Sequence, residues 1–260
     1  MSKYVIFSFD DGRVDTYKNA FLILEKFGMK GTINVVTDFV LHPENYECFK
    51  SCLNHPMSVE NIHECQNAKW EIACHGSTHK NTVEDIKKNI AELATLGINI
   101  QNIGFASPHS ELDLNNIKEI QELVSEKVLL YIRSGIQVRK EGVFYAFKTI
   151  LNQMLHNKKL FHNLNKRCIM DINTKQQDLL WGIGITSYTT VEEIVYLIRQ
   201  LEDGQAVILM FHSVLEKGEL GYGIDKWYWD KDKLFELCKE LQVMSDIHVC
   251  TTKEWVKRRS

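Results

Sequence analysis

Two carboxylates stand side by side near the start of the chain, where a short apolar run ends in Ser-Phe-Asp-Asp-Gly. Neighbouring side chains on a strand point to opposite faces, so Asp10 and Asp11 can reach one site only if the chain turns at once. Gly12 permits that turn. Taken alone, Asp-Asp-Gly is more often a plain turn. The pair becomes a candidate for chemistry only if other reactive side chains meet it.

Two histidines four residues apart are the first such partners. His75 and His79 lie in Cys-His-Gly-Ser-Thr-His, just past another predicted strand. On a helical turn this spacing places both imidazoles on one face, where a carboxylate would complete three protein ligands and leave room for water. Such an open arrangement is typical of catalytic metal sites. Because the chain has ten histidines, some coincidental pairs are also expected.

A third candidate, His212, ends the apolar run Val207-Ile208-Leu209-Met210-Phe211. Alone, it is more simply interpreted as a strand-end histidine that is hydrogen-bonded to a loop. The acid pair, the histidine pair and His212 are stronger candidates together than singly, because each follows a predicted strand. In a parallel barrel the carboxyl ends of the strands meet on one rim, which is where barrel enzymes place their chemistry.

The elements that would position these residues are short apolar strands that alternate with amphipathic helices. The alternation predicts an α/β protein with a mostly parallel sheet, covered by helices and with enough strands to close into a barrel. Only three prolines and no Gly/Ser-rich run occur, so residues 1–260 are predicted to form a single domain. The segment 140–175 fits the alternation poorly. Strands are predicted at 4–9, 32–36, 70–74, 103–106, 129–132, 206–211 and 247–250, and helices at 19–27, 82–97 and 190–201.

The composition is that of an ordinary globular protein, with 44% hydrophobic and 25% charged residues. A formal net charge of −3 argues against a surface built for nucleic acid or anionic lipid, so no nucleic-acid or membrane partner is expected. No signal-peptide core and no apolar run of about 20 residues is seen, which predicts a cytoplasmic location. Seven cysteines without a Cys-x-x-Cys pair favour reduced, mostly buried thiols.

Ser-Phe-Asp-Asp-Gly, His-Gly-Ser-Thr-His and Leu-Met-Phe-His-Ser resemble the first, second and fifth motifs of the polysaccharide deacetylases, the chitooligosaccharide deacetylase homology family or carbohydrate esterase family four. Their order and spacing match, and the resemblance runs from about Lys3 to Trp255. It implies a distorted (β/α) barrel with seven or eight strands. It also implies a hydrolase that removes acetyl groups from an N-acetylated sugar or oligosaccharide.

The resemblance also assigns roles to the candidate residues. Asp11, His75 and His79 would bind one divalent metal, commonly zinc, while Asp10 would be the general base and His212 the general acid. Amide hydrolysis requires activation of the carbonyl carbon for attack and protonation of the departing nitrogen. A metal polarises the carbonyl and lowers the pKa of bound water towards about 7. A base then takes the proton from water, and an acid donates to the departing nitrogen.

The third motif departs from the family pattern. Many members have an arginine before Pro-Pro-Tyr, but Phe-Ala-Ser-Pro-His puts Ala106 at the arginine's place and His109 at the tyrosine's. The sequence therefore does not identify which residue holds Asp10 in place. Arg133, in the next strand region, is the candidate, and a solvent-exposed arginine at a strand end is the alternative. The backbone N–H of His109 could donate to the oxyanion, because the family uses main chain there.

The fourth motif has no secure position in this sequence. Asp171 and Trp181 are the nearest candidates, Asp171 for orienting His212 and Trp181 for lining the pocket of the acetyl methyl group. Packing in the barrel core is an equal alternative for Trp181.

Two other functions remain open beside deacetylation of a sugar. The same barrel and metal could hydrolyse another amide or ester, such as a cyclic amide or a small molecule, and the altered third motif is where such a change would show. A catalytically silent carbohydrate-binding relative is the other alternative. Retention of both acids and all three histidines weighs against it, because binding needs no pair of acid and base.

Overall fold

The structure is a computed structural model that describes residues 2–46, 55–112, 116–137, 140–174, 179–224 and 226–259. Within these ranges the strands are β1 (Lys3–Phe9), β2 (Gly31–Val35), β3 (Glu71–Cys74), β4 (Phe105–Ala106), β5 (Ile132–Gly135), β6 (Met170–Asp171), β7 (Leu179–Gly184), β8 (Gln205–Phe211), β9 (Ser213–Leu215), β10 (Tyr228–Asp230) and β11 (Ile247–Val249).

Helices cover the outside of the strands. They are α1 (Leu22–Lys26, preceded by a π-helical turn at Thr16–Phe21), α2 (Thr37–Leu41), α3 (Pro43–Tyr46), α4 (Val59–Asn67), α5 (Val83–Thr95), α6 (Asn116–Ser125), α7 (Val143–Leu155), α8 (Lys158–Asn165), α9 (Val191–Arg199), α10 (Lys231–Gln242) and α11 (Thr252–Arg258). In the part of the chain that the structure describes, no helix combines the length and the apolar character needed to cross a bilayer.

Parallel strands close into a barrel in the order β1, β2, β3, β4, β5, β7, β8, with β8 pairing back onto β1. This ring of seven strands confirms the predicted α/β barrel. Strand β11 pairs with the first residues of β1, and β6 runs antiparallel beside the start of β8. The remaining two strands, β9 and β10, form a separate parallel pair after the end of β8.

Alternation along the strands divides the buried side chains between two sides of the barrel wall. Phe7, Phe9 and Phe211 face the helices and stack on one another, with ring centroids of Phe9 and Phe211 5.3 Å apart. Ile6 and Ile208 belong to a second cluster inside the barrel. That cluster also holds Trp255 of α11, so the last helix closes the end of the barrel opposite the carboxyl ends of the strands.

Two predicted strands differ from the observed ones. The strand expected at 129–132 lies at Ile132–Gly135, and the one expected at 103–106 shortens to Phe105–Ala106. The first shift has a clear cause, because Arg133 and Ser134 are polar residues that are nevertheless buried. The apolar residues that suggested the strand only lead into it.

Strand β7 was not predicted, and its sequence Leu-Leu-Trp-Gly-Ile-Gly contains two glycines, which weaken a strand pattern. One of these glycines has a packing role. A Cβ at Gly182 would lie 3.3 Å from Cδ of Arg133, so the missing side chain leaves room for the arginine inside the barrel. The cysteines in the described ranges are buried and form no disulfide, as expected, while Cys48 and Cys52 lie outside those ranges.

Candidate active site

The carboxyl ends of β1, β3 and β8 bring the candidate residues to one rim of the barrel. Asp10 follows β1 and its N–H donates to the Phe211 carbonyl at 2.9 Å, which ties it to the end of β8. His75 follows β3, and its N–H donates to the Val35 carbonyl at 3.1 Å. A cleft of about 640 Å³ opens at this rim, and its wall includes Asp10, Asp11, His79 and His212.

Backbone turns let neighbouring residues face the same cleft. Asp11 has a φ of 75° and Gly12 a φ of 69°, so the chain reverses as soon as β1 ends. This is the turn that two adjacent acids require if they share a site. His79 is also left-handed, with a φ of 60°. Non-glycine residues in this region of φ are uncommon and concentrate at functional sites.

The two histidines are brought together by a loop, so the expectation of a helical turn is wrong. Residues 75–80 are not helical. Asp85 folds the loop by accepting hydrogen bonds from the N–H groups of Thr78 at 3.0 Å and Lys80 at 3.1 Å. The side chain of Asp85 occupies the space where a Cβ of Gly76 would lie, at 2.6 Å from its Oδ2. A side chain at position 76 would therefore disturb the pair.

Asp11, His75 and His79 form a buried cluster with the donor set of a metal site. Oδ1 of Asp11 lies 3.4 Å from Nε2 of His75 and 3.4 Å from Nε2 of His79. Ligands of a tetrahedral zinc ion, with bonds of about 2.0–2.1 Å, are separated by about 3.3 Å. The spacing of the three atoms thus fits a divalent metal.

Hydrogen bonding also leaves the correct nitrogen of His75 available. Its Nδ1 lies 2.8 Å from the Ala106 carbonyl, which can only accept, so Nδ1 carries the proton. The Nε2 lone pair is then directed to the cluster, as in metal sites whose histidine donates its other N–H to a carbonyl.

The second oxygen of Asp11 belongs to Arg13, which sequence reasoning did not identify. The Nε and Nη2 of Arg13 donate to Oδ2 of Asp11 at 2.9 Å and 2.6 Å, and its Nη1 donates to Ser213 Oγ at 2.7 Å. Burial opposes ionisation of Asp11, but the charge of Arg13 outweighs it and holds the pKa of Asp11 well below its usual range. The carboxylate is charged and fixed in orientation.

Asp10 is held separately, by Arg133 and Asn34. Both Nη2 of Arg133 and Nδ2 of Asn34 donate to Oδ1 of Asp10, the latter at 2.8 Å. Arg133 is only 1% exposed, which excludes the solvent-exposed alternative. Burial again opposes ionisation, but the charge of Arg133 lowers the pKa of Asp10 below its usual value. Asn34 was missed, although a polar residue inside the apolar run Thr-Ile-Asn-Val-Val was a usable signal.

His212 lies at the end of β8 with its ring against Trp227, the ring centroids 4.9 Å apart. Its Nδ1 is buried and has no hydrogen-bond partner among the described residues. Burial lowers the pKa of His212 to about 4, against the opposing charges of Asp11 and Asp10. Without substrate, the ring is therefore neutral at neutral pH.

The fourth-motif candidates lie away from the cleft. Asp171 pairs with Gln205 at the start of β8, and His212 follows the end of that strand, about 23 Å away at roughly 3.3 Å per residue. Asp171 therefore does not contact His212. Trp181 lies on β7, is 37% exposed, and is part of neither the barrel core nor the cleft wall.

His109, by contrast, does line the cleft. Its φ is 55°, and its ring lies against that of His79, with centroids 4.4 Å apart. Its carbonyl accepts a hydrogen bond from Gln137 Nε2 at 2.9 Å. The residue at the place of the family's tyrosine thus packs on a proposed metal ligand.

Replacement of Arg133 is expected to destabilise the fold through Asp10. Arg133→Met leaves a buried carboxylate without its cation, and breaking a buried ion pair typically costs about 3–5 kcal/mol. In an Asp10→Asn background the same substitution should cost much less, because no charge is left unpaired. Urea unfolding of the four proteins in this cycle measures the difference. Equal costs in the two backgrounds would show that Arg133 supports the barrel independently of Asp10.

Comparison with known proteins agrees with this geometry. A family model described as polysaccharide deacetylase matches residues 1–123, the segment that holds both acids and the histidine pair. The Bacillus subtilis (strain 168) protein YxkH, whose name assigns it to the polysaccharide deacetylases, is 37% identical over 60 residues. That alignment spans 22% of this chain and 22% of YxkH.

Solved structures share the fold over nearly the whole chain. A Mycobacterium smegmatis protein, named as a polysaccharide deacetylase, has a TM-score of 0.57 at 15% identity, covering 98% of this chain and 89% of its own. The Xyl-CE4 domain of a multidomain xylanase from the hindgut metagenome of Trinervitermes trinervoides gives 0.52 at 15% identity, covering 100% and 92%. A family 4 acetyl xylan esterase from Clostridium thermocellum, solved with a cobalt ion, gives 0.51 at 16%, covering 98% and 90%.

The family model matches the half of the barrel that holds Asp10, Asp11, His75 and His79 on its rim. Residues 1–123 of the chain are thus similar to the polysaccharide deacetylase family.

Proposed function

We propose that the protein is a metal-dependent hydrolase that removes acetyl groups from an N-acetylated sugar or oligosaccharide. The observation that supports this most strongly is the placement of a three-residue metal cluster in the same cleft as a second, separately held carboxylate and a buried histidine. The similarity of residues 1–123 to the polysaccharide deacetylase model supports the same reaction class.

Asp11, His75 and His79 would hold the metal. Two imidazole nitrogens and one carboxylate oxygen are a donor set that suits zinc and leaves a position open. The cobalt ion in the acetyl xylan esterase supports a site that accepts other divalent transition metals. When bound, the metal would polarise the acetyl carbonyl and make water more acidic.

Asp10 is proposed as the general base. Its two donors, Arg133 and Asn34, both use Oδ1. Oδ2 is therefore the oxygen that can accept the proton of the attacking water. Because its pKa is lowered, the carboxyl is ionised at neutral pH and ready to accept. The ion pair with Arg133 also keeps the base in place.

His212 is proposed as the general acid. The ring is neutral at neutral pH without substrate, so it must take up a proton from solvent during the reaction, while Asp10 later returns the proton of the attacking water to solvent. Negative charge that develops on the acetyl oxygen favours the protonated ring. The ring then donates to the departing nitrogen, which leaves as a neutral amine. The products are acetate and a free amino sugar.

The cleft is compatible with a sugar, since about 640 Å³ lies within the usual range for small-molecule sites. Trp227 offers an aromatic face in its wall. His109, at the family's tyrosine position, also lies in the wall and favours a second candidate, hydrolysis of another amide or an ester. Acetate release from a panel of N-acetylated and O-acetylated sugars, together with cyclic amides, separates the two substrate classes.

Metal binding and turnover together test the proposed function. Protein that has been stripped and reloaded with zinc should contain about one metal per chain by elemental analysis and should release acetate from chitooligosaccharides. His79→Ala should lose the metal, because two ligands hold an ion poorly. His248→Ala, which changes an exposed histidine on β11, is the matched control and should keep it.

A protein without metal at saturating zinc would overturn the assignment. Metal without turnover of any acetylated substrate would instead favour the silent carbohydrate-binding relative.

A further inference from the structure

Helix α7 packs against the protein with its polar face and exposes its apolar face. The side that contacts the protein carries polar groups: buried Asn152 donates to Glu193 Oε1 at 2.6 Å, and the Tyr145 hydroxyl donates to the Leu164 carbonyl at 3.2 Å. The opposite side is apolar and faces outward. Its side chains, 57% to 88% exposed, are Val143, Phe144, Phe147, Ile150, Met154 and Leu155.

This outer face is unusual for the chain. Fifteen large hydrophobic residues are exposed in the described ranges, and six of them lie on this one helix of 13 residues. Single exposed apolar residues need no explanation, but a continuous apolar stripe marks a surface that is covered by something else. The residues follow one another at helical spacing, so they form one stripe.

The segment of the sequence that carries the stripe is rich in cations. Between residues 140 and 167 the sequence has six cationic side chains and one acid, Glu141, although the whole chain has a net charge of −3. Lys148 lies at the stripe itself, with Nζ 4.3 Å from the centre of the Phe144 ring. The other cations are Lys140, Lys158, Lys159, Lys166 and Arg167, all of them exposed. Arg167 is paired with Glu141 at 2.7 Å, which leaves the lysines as the unneutralised charge of the segment.

The basic surroundings help to decide what covers the stripe. A second copy of the chain would bring the same cations close to one another, which opposes association. An anionic bilayer offers acyl chains for the stripe and negative headgroups for the lysines. At 1.5 Å per residue the helix is about 20 Å long, too short to span, so it would lie in the plane of the interface.

We propose that the outer face of α7 binds the surface of an anionic lipid bilayer. The inner side of the same helix contributes Ala146 to the cleft wall, so the bound protein would hold its cleft close to the membrane. This replaces the expectation of no lipid partner, which rested on the net charge of the whole chain. It does not depend on the proposed reaction.

Vesicle co-sedimentation of the whole protein tests the proposal. The wild type should bind vesicles of phosphatidylcholine and phosphatidylglycerol in equal parts, and should bind pure phosphatidylcholine at least about tenfold more weakly. Phe144→Ser/Phe147→Ser should reduce binding to the anionic vesicles by at least about tenfold. Lys158→Glu/Lys159→Glu should do the same without touching the apolar stripe.

Two matched variants serve as controls, and neither should change binding. Val243→Ser alters an equally exposed apolar residue elsewhere, and Lys87→Glu/Lys88→Glu reverses another adjacent pair of exposed lysines, on α5. All variants change surface positions, and circular dichroism checks that they fold.

Absence of wild-type binding to anionic vesicles would overturn the proposal, as would binding that neither α7 variant weakens. Light scattering provides a further test. A wild-type dimer that Phe144→Ser/Phe147→Ser converts to a monomer would assign the face to a second copy and contradict the membrane.

Discussion

Asp10→Asn is expected to slow acetate release from an acetylated sugar by about 10²- to 10⁴-fold while leaving close to one zinc per chain. The asparagine oxygen can still accept the hydrogen bonds that Arg133 and Asn34 now give to Oδ1. The amide nitrogen then occupies the place of Oδ2 and cannot accept a proton. The substitution therefore removes the base and preserves its surroundings. Turnover and elemental analysis on the same preparation measure the two effects.

Asp11→Asn is the matched comparison, one residue further along the chain. It replaces a proposed ligand whose Oδ1 faces both histidines, so zinc should be lost together with activity. If Asp10→Asn lost zinc as completely as Asp11→Asn, the roles of the two acids would have to be exchanged or merged. Urea unfolding of Asp10→Asn shows whether any loss reflects a damaged fold, because Arg133 would keep a buried charge without a carboxylate.

The residues placed on the rim by sequence reasoning share one property, which is that each follows an apolar strand. Topology alone brings such positions together, since the carboxyl ends of parallel strands meet. Asp10, Asp11 and His212 could therefore be placed near one another before any contact was known. The loop geometry of His75 to His79 could not, because it depends on Asp85, whose hydrogen bonds leave no periodic pattern.

The residues that hold the site were harder to find. Arg13 contacts Ser213 across 200 positions of the chain, and no spacing rule connects them. Arg133 was found only as a candidate, because its strand was placed three residues too early. The polar residues that support the acids lie inside the barrel, where hydrophobic patterning predicts apolar side chains. Buried polar positions in apolar runs are therefore the signal to look for.

Segment 140–175 was obscure for a different physical reason. Sequence patterning assumes that the apolar face of a helix is the buried one. On α7 the polar face packs against the protein and the apolar face is exposed, so this assumption does not hold for the helix. This inversion is what suggests an additional surface for the helix to bind.

His212→Ala should separate acid catalysis from the other contributions to turnover. An amide nitrogen leaves readily only after it is protonated, so kcat on an acetamido sugar should fall by about 10²- to 10⁴-fold. An activated aryl acetate has a leaving group that needs no proton, and its hydrolysis should fall less. Substrate binding should change little. Rates on both substrates, with His248→Ala as a control outside the cleft, make the comparison.

The pH dependence of kcat for this variant and the wild type shows whether His212 acts in its protonated form. Burial places the pKa of His212 at about 4 in the protein without substrate, so the protonated fraction of the ring falls as the pH rises. The ratio of wild-type kcat to His212→Ala kcat on the acetamido sugar should therefore be largest at low pH. It should fall as the pH rises, because the wild-type ring loses its proton and the variant has no ring to deprotonate. Equal losses of kcat on both substrates would contradict the role of His212 as acid. A ratio of wild-type to variant kcat that increases with pH would contradict it as well. Its place against Trp227 would then point to a role in shaping the cleft.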